Sequence, residues 1–258
     1  MKISNFTVVM ILFIAYSCST APKQKRAAQK YWKPHPQNFQ IIHLDKIKNP
    51  WKIIKDNSLV NTELDQITPE FMHESKRRGV RVVAYFSASF EKWRADAPKY
   101  PKKAKGKKMG DWDELWGDIS KKELRDFLEI RMKKAKALGV DGIEIDNTDI
   151  AYNEVGFKVS PEENLQALID LASRAHKHGL AIFLKNTGDL AQELAKHFDG
   201  VFSESPIRYN EYDDFLPFIN KGRPVYIIEY QRRFCTPVAG AVVQLKKDYF
   251  STNYKICE

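Results

Sequence analysis

The sequence predicts an α/β protein folded as a single TIM-type (β/α)8 barrel, and three observations carry the prediction. From about residue 39 onward, short strand-like runs alternate with helix-like ones, which implies a parallel sheet with helices outside it. Seven or eight such units fit into about 220 residues, and the Gly-rich fingerprint that an open, nucleotide-binding sheet would carry early is missing. A chain of 258 residues with 43% hydrophobic content suits one undivided core, without internal repeats.

The strand-like runs cover residues 39–44, 59–64, 81–87, 142–147, 180–186, 200–205 and 224–230, mostly β-branched or aromatic. Between them, residues 69–78, 121–138, 161–178, 189–197 and 209–220 space their apolar side chains at helical intervals. Ser120 and Ser160 stand where N-caps belong, Pro161 suits a first turn, and Gly79, Gly139 and Gly179 follow helix ends. After residue 230 no further strand–helix pair is legible, so the last unit is expected to be irregular or incomplete. The densest basic run, Lys99 to Lys108, holds Pro and Gly without helical period and predicts a solvated loop.

Net charge is +9, a balance that suits an anionic partner. Much of it is Lys without interleaved Arg and aromatic residues, so no nucleic-acid partner is expected. Lys2 precedes an apolar run from Phe6 to Tyr16, too short to span a bilayer, that ends in Ala15-Tyr16-Ser17-Cys18. Residues 1–18 therefore read as a signal peptide with a lipobox-like end, residues 19–31 as a linker and residues 32–258 as the barrel. Cys18 is the expected lipidation site, anchoring an exported monomer to a membrane; an ordinary secretory signal is the alternative. Three cysteines less Cys18 leave Cys235 and Cys257, which an oxidising compartment would bridge.

The chemistry concentrates in Asp141-Gly-Ile-Glu-Ile-Asp-Asn-Thr-Asp149. Side chains alternate faces along a strand, so Glu144 and Asp146 share one face and Ile143 and Ile145 the other. Charged groups are rarely buried unless paired or used, so this face predicts a site. The same alternation places Tyr85, Ser87, Asp146, Lys185, Glu204 and Glu229 at the last inward positions of their strands, where barrels build active sites.

From Trp32 to Cys257, several stretches share an order with one family: Ala84 to Asp96, Trp112 to Ser120, Asp141 to Asp149, Asn153 to Phe157, Ala175 to Leu180, Leu184 to Asn186, the Glu204 region, Val225 to Tyr230, and Phe234-Cys235. In these the chain resembles glycoside hydrolase family 114, the endo-α-1,4-polygalactosaminidase-like barrels. The resemblance implies internal cleavage of α-1,4-linked galactosamine polymers, with catalytic carboxylates at Asp146 and Glu204. Glycoside hydrolysis needs one carboxyl to protonate the leaving oxygen and another to attack or to activate water. If Asp146 ends the fourth strand and Glu204 the sixth, their backbones stand two strand spacings apart, roughly 9–10 Å. Asp146 is read as nucleophile or base and Glu204 as acid, with Lys185 between them.

Glu91, Asp149 and Glu229 are the expected sugar or amine contacts, and Tyr85, Trp93, Trp116 and Tyr230 the expected stacking platforms. Asn147 and Asn186 are placed to bond hydroxyls, while Arg94 is expected to pair with Glu91 or Asp96. No cofactor and no metal is called for. Ser205 and Tyr212 stand where many family members carry cysteines, and His43 where Gln is commoner. Other readings are a Schiff-base lysine at Lys185, a cation held by Glu144, Asp146 and Asp149, and a glycan-binding lipoprotein without catalysis; His176 and His178, two apart near a helix end, do not face one another and read as surface histidines rather than zinc ligands.

Overall fold

Eight strands run parallel and curl around an aromatic interior. The computed structural model describes residues 33–34, 38–248 and 254–258; the leader-like segment, Cys18 and the linker lie outside them. In chain order the elements are β1 (Phe39–Ile41), β2 (Leu59–Glu63), α1 (Pro69–Arg77), β3 (Arg81–Ser87), β4 (Phe90–Glu91), β5 (Lys105–Lys108), β6 (Glu114–Gly117), α2 (Lys122–Leu138), β7 (Gly142–Asp146), α3 (Pro161–Lys177), β8 (Ala181–Lys185), α4 (Ala191–Leu194), β9 (Gly200–Glu204), α5 (Pro206–Tyr209), α6 (Leu216–Ile219), β10 (Val225–Glu229), β11 (Ala241–Lys246) and β12 (Tyr254–Ile256). The main sheet follows the order β1-β2-β3-β7-β8-β9-β10-β11-β12, and β4, β6 and β5 form a separate small sheet.

The TIM-type barrel expected from the sequence is therefore present as a curled sheet with a seam. All neighbours from β1 to β11 pair in parallel, whereas β12 pairs antiparallel on β11 through Gln244, Leu245 and Lys246. The edge of β11 that would meet β1 is thus occupied by β12 along its C-terminal half. Closure comes from side chains: the Gln244 amide donates to the Phe39 carbonyl, and the Phe39 ring stands 4.6 Å from that of Tyr226. The irregular last unit is this: β10 is followed by a 3-10 turn at Arg232–Phe234 and then by β11, and β11 by a strand where a helix would complete the repeat.

Inside the curl, Phe39, Leu59, Val83, Phe183, Phe202, Tyr226 and Ile228 form one buried cluster. The rings of Phe183 and Tyr226 flank Phe202, each 5.0 Å from it. Room for these rings comes from Gly200, where an added Cβ would meet Phe183 at 2.7 Å and the Pro224 carbonyl at 2.9 Å. Gly200→Ala is therefore expected to destabilise the fold by about 1–3 kcal/mol, the cost of overpacking a filled core, measured by denaturant unfolding. On the outer face of the strands, Ile143, Ile182, Leu184 and Val201 belong to the core that includes Leu128 and Met132 of α2 and Leu168 and Leu171 of α3.

The helix signals hold in part. Ser160 closes a capping box with Glu163, and Gly139 ends α2 at φ 85°. Ser120 does not cap: its hydroxyl is taken by Asp118, and α2 begins one residue later behind Lys121. The predicted helix at 209–220 is broken into α5, a 3-10 turn and α6, with Asn210 at φ 61° and Pro217 lacking the N–H a continuous helix would use. The basic run is a loop only over its first half. From Lys105 it pairs as β5 with β6, and the Lys105 ammonium lies 3.1 Å from the centroid of Phe90. Cys235 and Cys257 are bridged, Cα to Cα 5.1 Å, which ties the turn after β10 to the end of β12.

Candidate active site

Three consecutive barrel strands end in a charged inward residue: Asp146 on β7, Lys185 on β8 and Glu204 on β9. Each is followed by a residue with left-handed backbone, Asn147 at φ 57°, Asn186 at φ 50° and Ser205 at φ 60°. This conformation ends each strand abruptly and costs a non-glycine residue, least for Asn. Two of the three are Asn, and both brace the site. The Asn147 amide donates to Ser87 Oγ at 2.8 Å, and Asn186 Oδ1 accepts the Glu204 N–H at 3.0 Å.

Lys185 is the hub. Its Nζ lies 3.2 Å from Glu144 Oε1, 3.6 Å from Asp146 Oδ2 and 3.8 Å from Glu204 Oε1. Asp146 and Glu204, on the strands either side of β8, are thereby brought to one ammonium. Tyr85 donates its hydroxyl to Asp146 Oδ2 at 2.8 Å, and the Asn147 N–H donates to Oδ1 at 2.8 Å. Tyr230 donates to Glu204 Oε1 at 2.9 Å.

One layer deeper, Glu144 is 1% exposed and accepts from the Asn61 amide. Burial pushes its carboxyl up to about 7, with Lys185 opposing and Asp146 adding to the shift. The folded protein thus holds this proton more tightly than the unfolded chain does. The stability gained is complete below the ordinary value of 4.5 and is lost as pH rises through about 7. Glu144→Gln is expected to flatten the fall in melting temperature between about pH 5 and pH 8; an unchanged slope would remove Glu144 as its source.

The mouth above this hub is a cleft with two lobes. The larger, of about 260 Å³, is bounded by Asn61, Glu63, Trp93, Glu144, Lys185 and Lys246, and the smaller, of about 140 Å³, by Met109, Asp146, Asn147 and Asn186. Tyr85, Trp112, Glu114 and Glu204 line both. Below Trp93 lies Arg94, 4.4 Å from that ring and almost wholly buried. It donates to Glu63 at 2.7 and 2.9 Å, to Asp65 at 3.0 Å and to Glu91. Arg94 therefore pairs with Glu91 as expected, whereas Asp96 pairs with Arg131 at 2.9 Å.

Several expected contacts lie elsewhere. In β10 the residue aligned with Glu204 is Ile228, so Tyr226, Ile228 and Tyr230 face inward and Glu229 faces out. Its carboxylate accepts from the Ile207 and Arg208 N–H groups at 2.9 and 3.3 Å, at the start of α5. Glu229 is thus no sugar contact. Trp116 packs into the main core and borders a neighbouring groove with Lys108 and Asn153, while Trp112 occupies the cleft in its stead. Asp149 heads the 3-10 turn Ile150–Tyr152, outside the lining of either lobe. Glu91 does line the cleft, but its carboxylate is engaged by Arg94. Tyr230 orients Glu204 through its hydroxyl rather than offering a stacking face to the lobes. His176 and His178 bond different carboxylates, Asp199 and Glu129.

The sequence reading missed Trp112, Glu114, Glu63 and Lys246 among the lining residues. Lys246 carried a legible signal: in Ala241-Val-Val-Gln-Leu-Lys246, polar Gln244 and Lys246 alternate with apolar residues, the same pattern as β7.

A model of glycoside-hydrolase family GH114 matches residues 21–255. The chain belongs to glycoside-hydrolase family GH114. It is accordingly a glycoside hydrolase, and the cleft at the C-terminal ends of its strands is where a barrel of this kind works. Among solved structures, this GH114 chain is similar to Aspergillus fumigatus Ega3 in complex with galactosamine, at 25% identity and a TM-score of 0.76, covering 88% of this chain and 98% of that one. It shares its fold with the glycoside hydrolase domain of PelA from Pseudomonas aeruginosa, at 17% identity and a TM-score of 0.67, covering 81% and 94% of the two chains. No curated protein sequence matches it.

Proposed function

We propose that this GH114 enzyme cuts internal α-1,4 bonds of a galactosamine-containing polysaccharide, with Asp146 as nucleophile or base and Glu204 as general acid. The observation that carries the proposal is the pair itself, two carboxylates 3.6 and 3.8 Å from one ammonium at the mouth of the barrel. Both Asp146 oxygens already accept hydrogen bonds, which orients the carboxylate for the role of nucleophile or base. On Glu204, Oε1 takes the Tyr230 hydroxyl, which leaves Oε2 to carry the proton for the leaving oxygen.

The internal mode of attack is supported by the path of the cleft. Met109 lines both the Asp146 lobe and the groove beside Trp116. Beyond the Asp146 lobe the groove beside Trp116 gives a chain room to extend past the cut bond, as an endo-acting site requires. Galactosamine is bound by the similar Ega3. Glu114 lines both lobes beside the pair and offers a carboxylate to a cationic amino sugar although the whole chain is basic. Export, with anchoring through Cys18 or secretion, is supported by the leader-like N-terminus and by the Cys235–Cys257 bridge, which persists in oxidising compartments.

Incubating the protein with defined galactosamine oligomers and their acetylated counterparts tests the proposal. Shorter oligomers released from internal bonds are expected. Binding without cleavage of either series would replace it with the non-catalytic, glycan-binding reading.

A further inference from the structure

A shallow groove beside Lys246 carries more positive charge than the lobes around the carboxylate pair. It is lined by Tyr230, Arg232, Leu245, Lys246, Lys247, Tyr254 and Lys255, four cations and two tyrosines without an acid. Two residues tie it to the catalytic centre. Lys246 lines both the groove and the larger lobe, and Tyr230 donates to the acid Glu204. Local structure fixes the wall: Lys246 and Tyr254 are cross-strand partners in the β11–β12 ladder, so their side chains share one face. The Cys235–Cys257 bridge and the Cys257 N–H bond to Val243 hold β12 in that position. Arg232, Lys247 and Lys255 are exposed along the rim.

We propose that this groove is a subsite for a negatively charged sugar residue, so that the polysaccharide lying across the cleft carries an acidic residue several units from the bond that is cut. The proposal rests on the reading that a glycan chain runs through the cleft. A cationic amino sugar would be repelled here and drawn instead toward Glu114 and the carboxylate pair, so the two surfaces select opposite charges. Burial lowers Lys246 to about 8, against the pull of Glu204 and Asp248, and a carboxylate in the groove would favour its charged form. Tyrosine faces beside cations supply the sugar-stacking surface. A glycan is the favoured polyanion because the groove shares Lys246 with the glycan cleft.

The test is calorimetric titration of the protein with α-1,4-linked tetragalacturonate and with a neutral α-1,4-galactose oligomer of the same length. The acidic oligomer is expected to bind at least about tenfold more tightly at low salt, and the difference to shrink as added salt screens exposed charges. Replacing the rim together, Arg232→Gln, Lys247→Gln and Lys255→Gln, should abolish that preference while cleavage of galactosamine oligomers stays at wild-type rate. Equal binding of the two oligomers, or an undiminished preference in the triple variant, would overturn the proposal. Tighter competition by a single-stranded DNA oligonucleotide than by tetragalacturonate would overturn its glycan assignment. If galactosamine oligomers remain uncut while tetragalacturonate binds as described, the groove stands and the amino-sugar reading of the pair falls.

Discussion

Asp146→Asn is expected to lower kcat on galactosamine oligomers by about a thousandfold or more, with the melting temperature little changed. The amide keeps the volume: its oxygen still accepts the Asn147 N–H, and its NH2 donates to the Tyr85 hydroxyl, which reverses its role from donor to acceptor. On the proposed roles, what disappears is the nucleophile or base. Glu144 is nearest, but it sits a layer deeper and is bound by Asn61 and Lys185. Glu204→Gln should also abolish cleavage of the natural bond, for a different reason: the leaving oxygen is no longer protonated. The two roles separate on an aryl glycoside whose phenol leaves unaided. There Glu204→Gln is expected to recover most of its rate and Asp146→Asn none. The reverse pattern would exchange the assignments, and full activity of Asp146→Asn on the polymer would remove it from the chemistry altogether.

The parts of the site legible in the sequence were those set by local alternation. Asp146, Lys185 and Glu204 each close a strand whose preceding residues alternate cleanly, and barrel geometry then brings consecutive strand ends together. Glu229 shows where that logic stops. A carboxylate at the end of a strand marks the cleft only if it faces inward, and β10 is set by its pairing of Ile228 with Glu204 and by the α5 N–H groups that receive Glu229 outside. Neither partner is visible in β10 itself. The exchange of Trp116 for Trp112 has a similar cause, because the β4–β6–β5 meander decides which tryptophan faces the mouth. Strand β11 was overlooked although its alternation was present; with it went Lys246, the residue that lines both the larger lobe and the basic groove.

The largest loss of stability is expected from Arg94→Met, about 3–5 kcal/mol, since breaking a buried ion cluster from one side leaves uncompensated charge behind. Arg94 against Glu91, three residues apart, is a local pairing; its bonds to Glu63 and Asp65 come from a strand thirty residues earlier and tie the start of the meander to β2. Met fills most of the space under Trp93, so the change isolates charge from volume. Burial already pushes Glu91 up to about 7 while Arg94 pulls it down. Without the guanidinium the folded state favours its proton still more. The sign follows: the deficit of Arg94→Met relative to wild type is greatest above about pH 7 and shrinks as pH falls toward the ordinary glutamate value of 4.5, where Glu91 is protonated in both states. Adding Glu91→Gln to Arg94→Met should restore part of the loss at pH 8 and little at pH 5. Thermal or urea unfolding at the two pH values checks this. A small, pH-independent loss would mean that water reaches Glu63 and Glu91 once the guanidinium is gone. In that case Arg94 serves mainly as the floor beneath Trp93, and a raised KM with kcat intact would be its remaining signature.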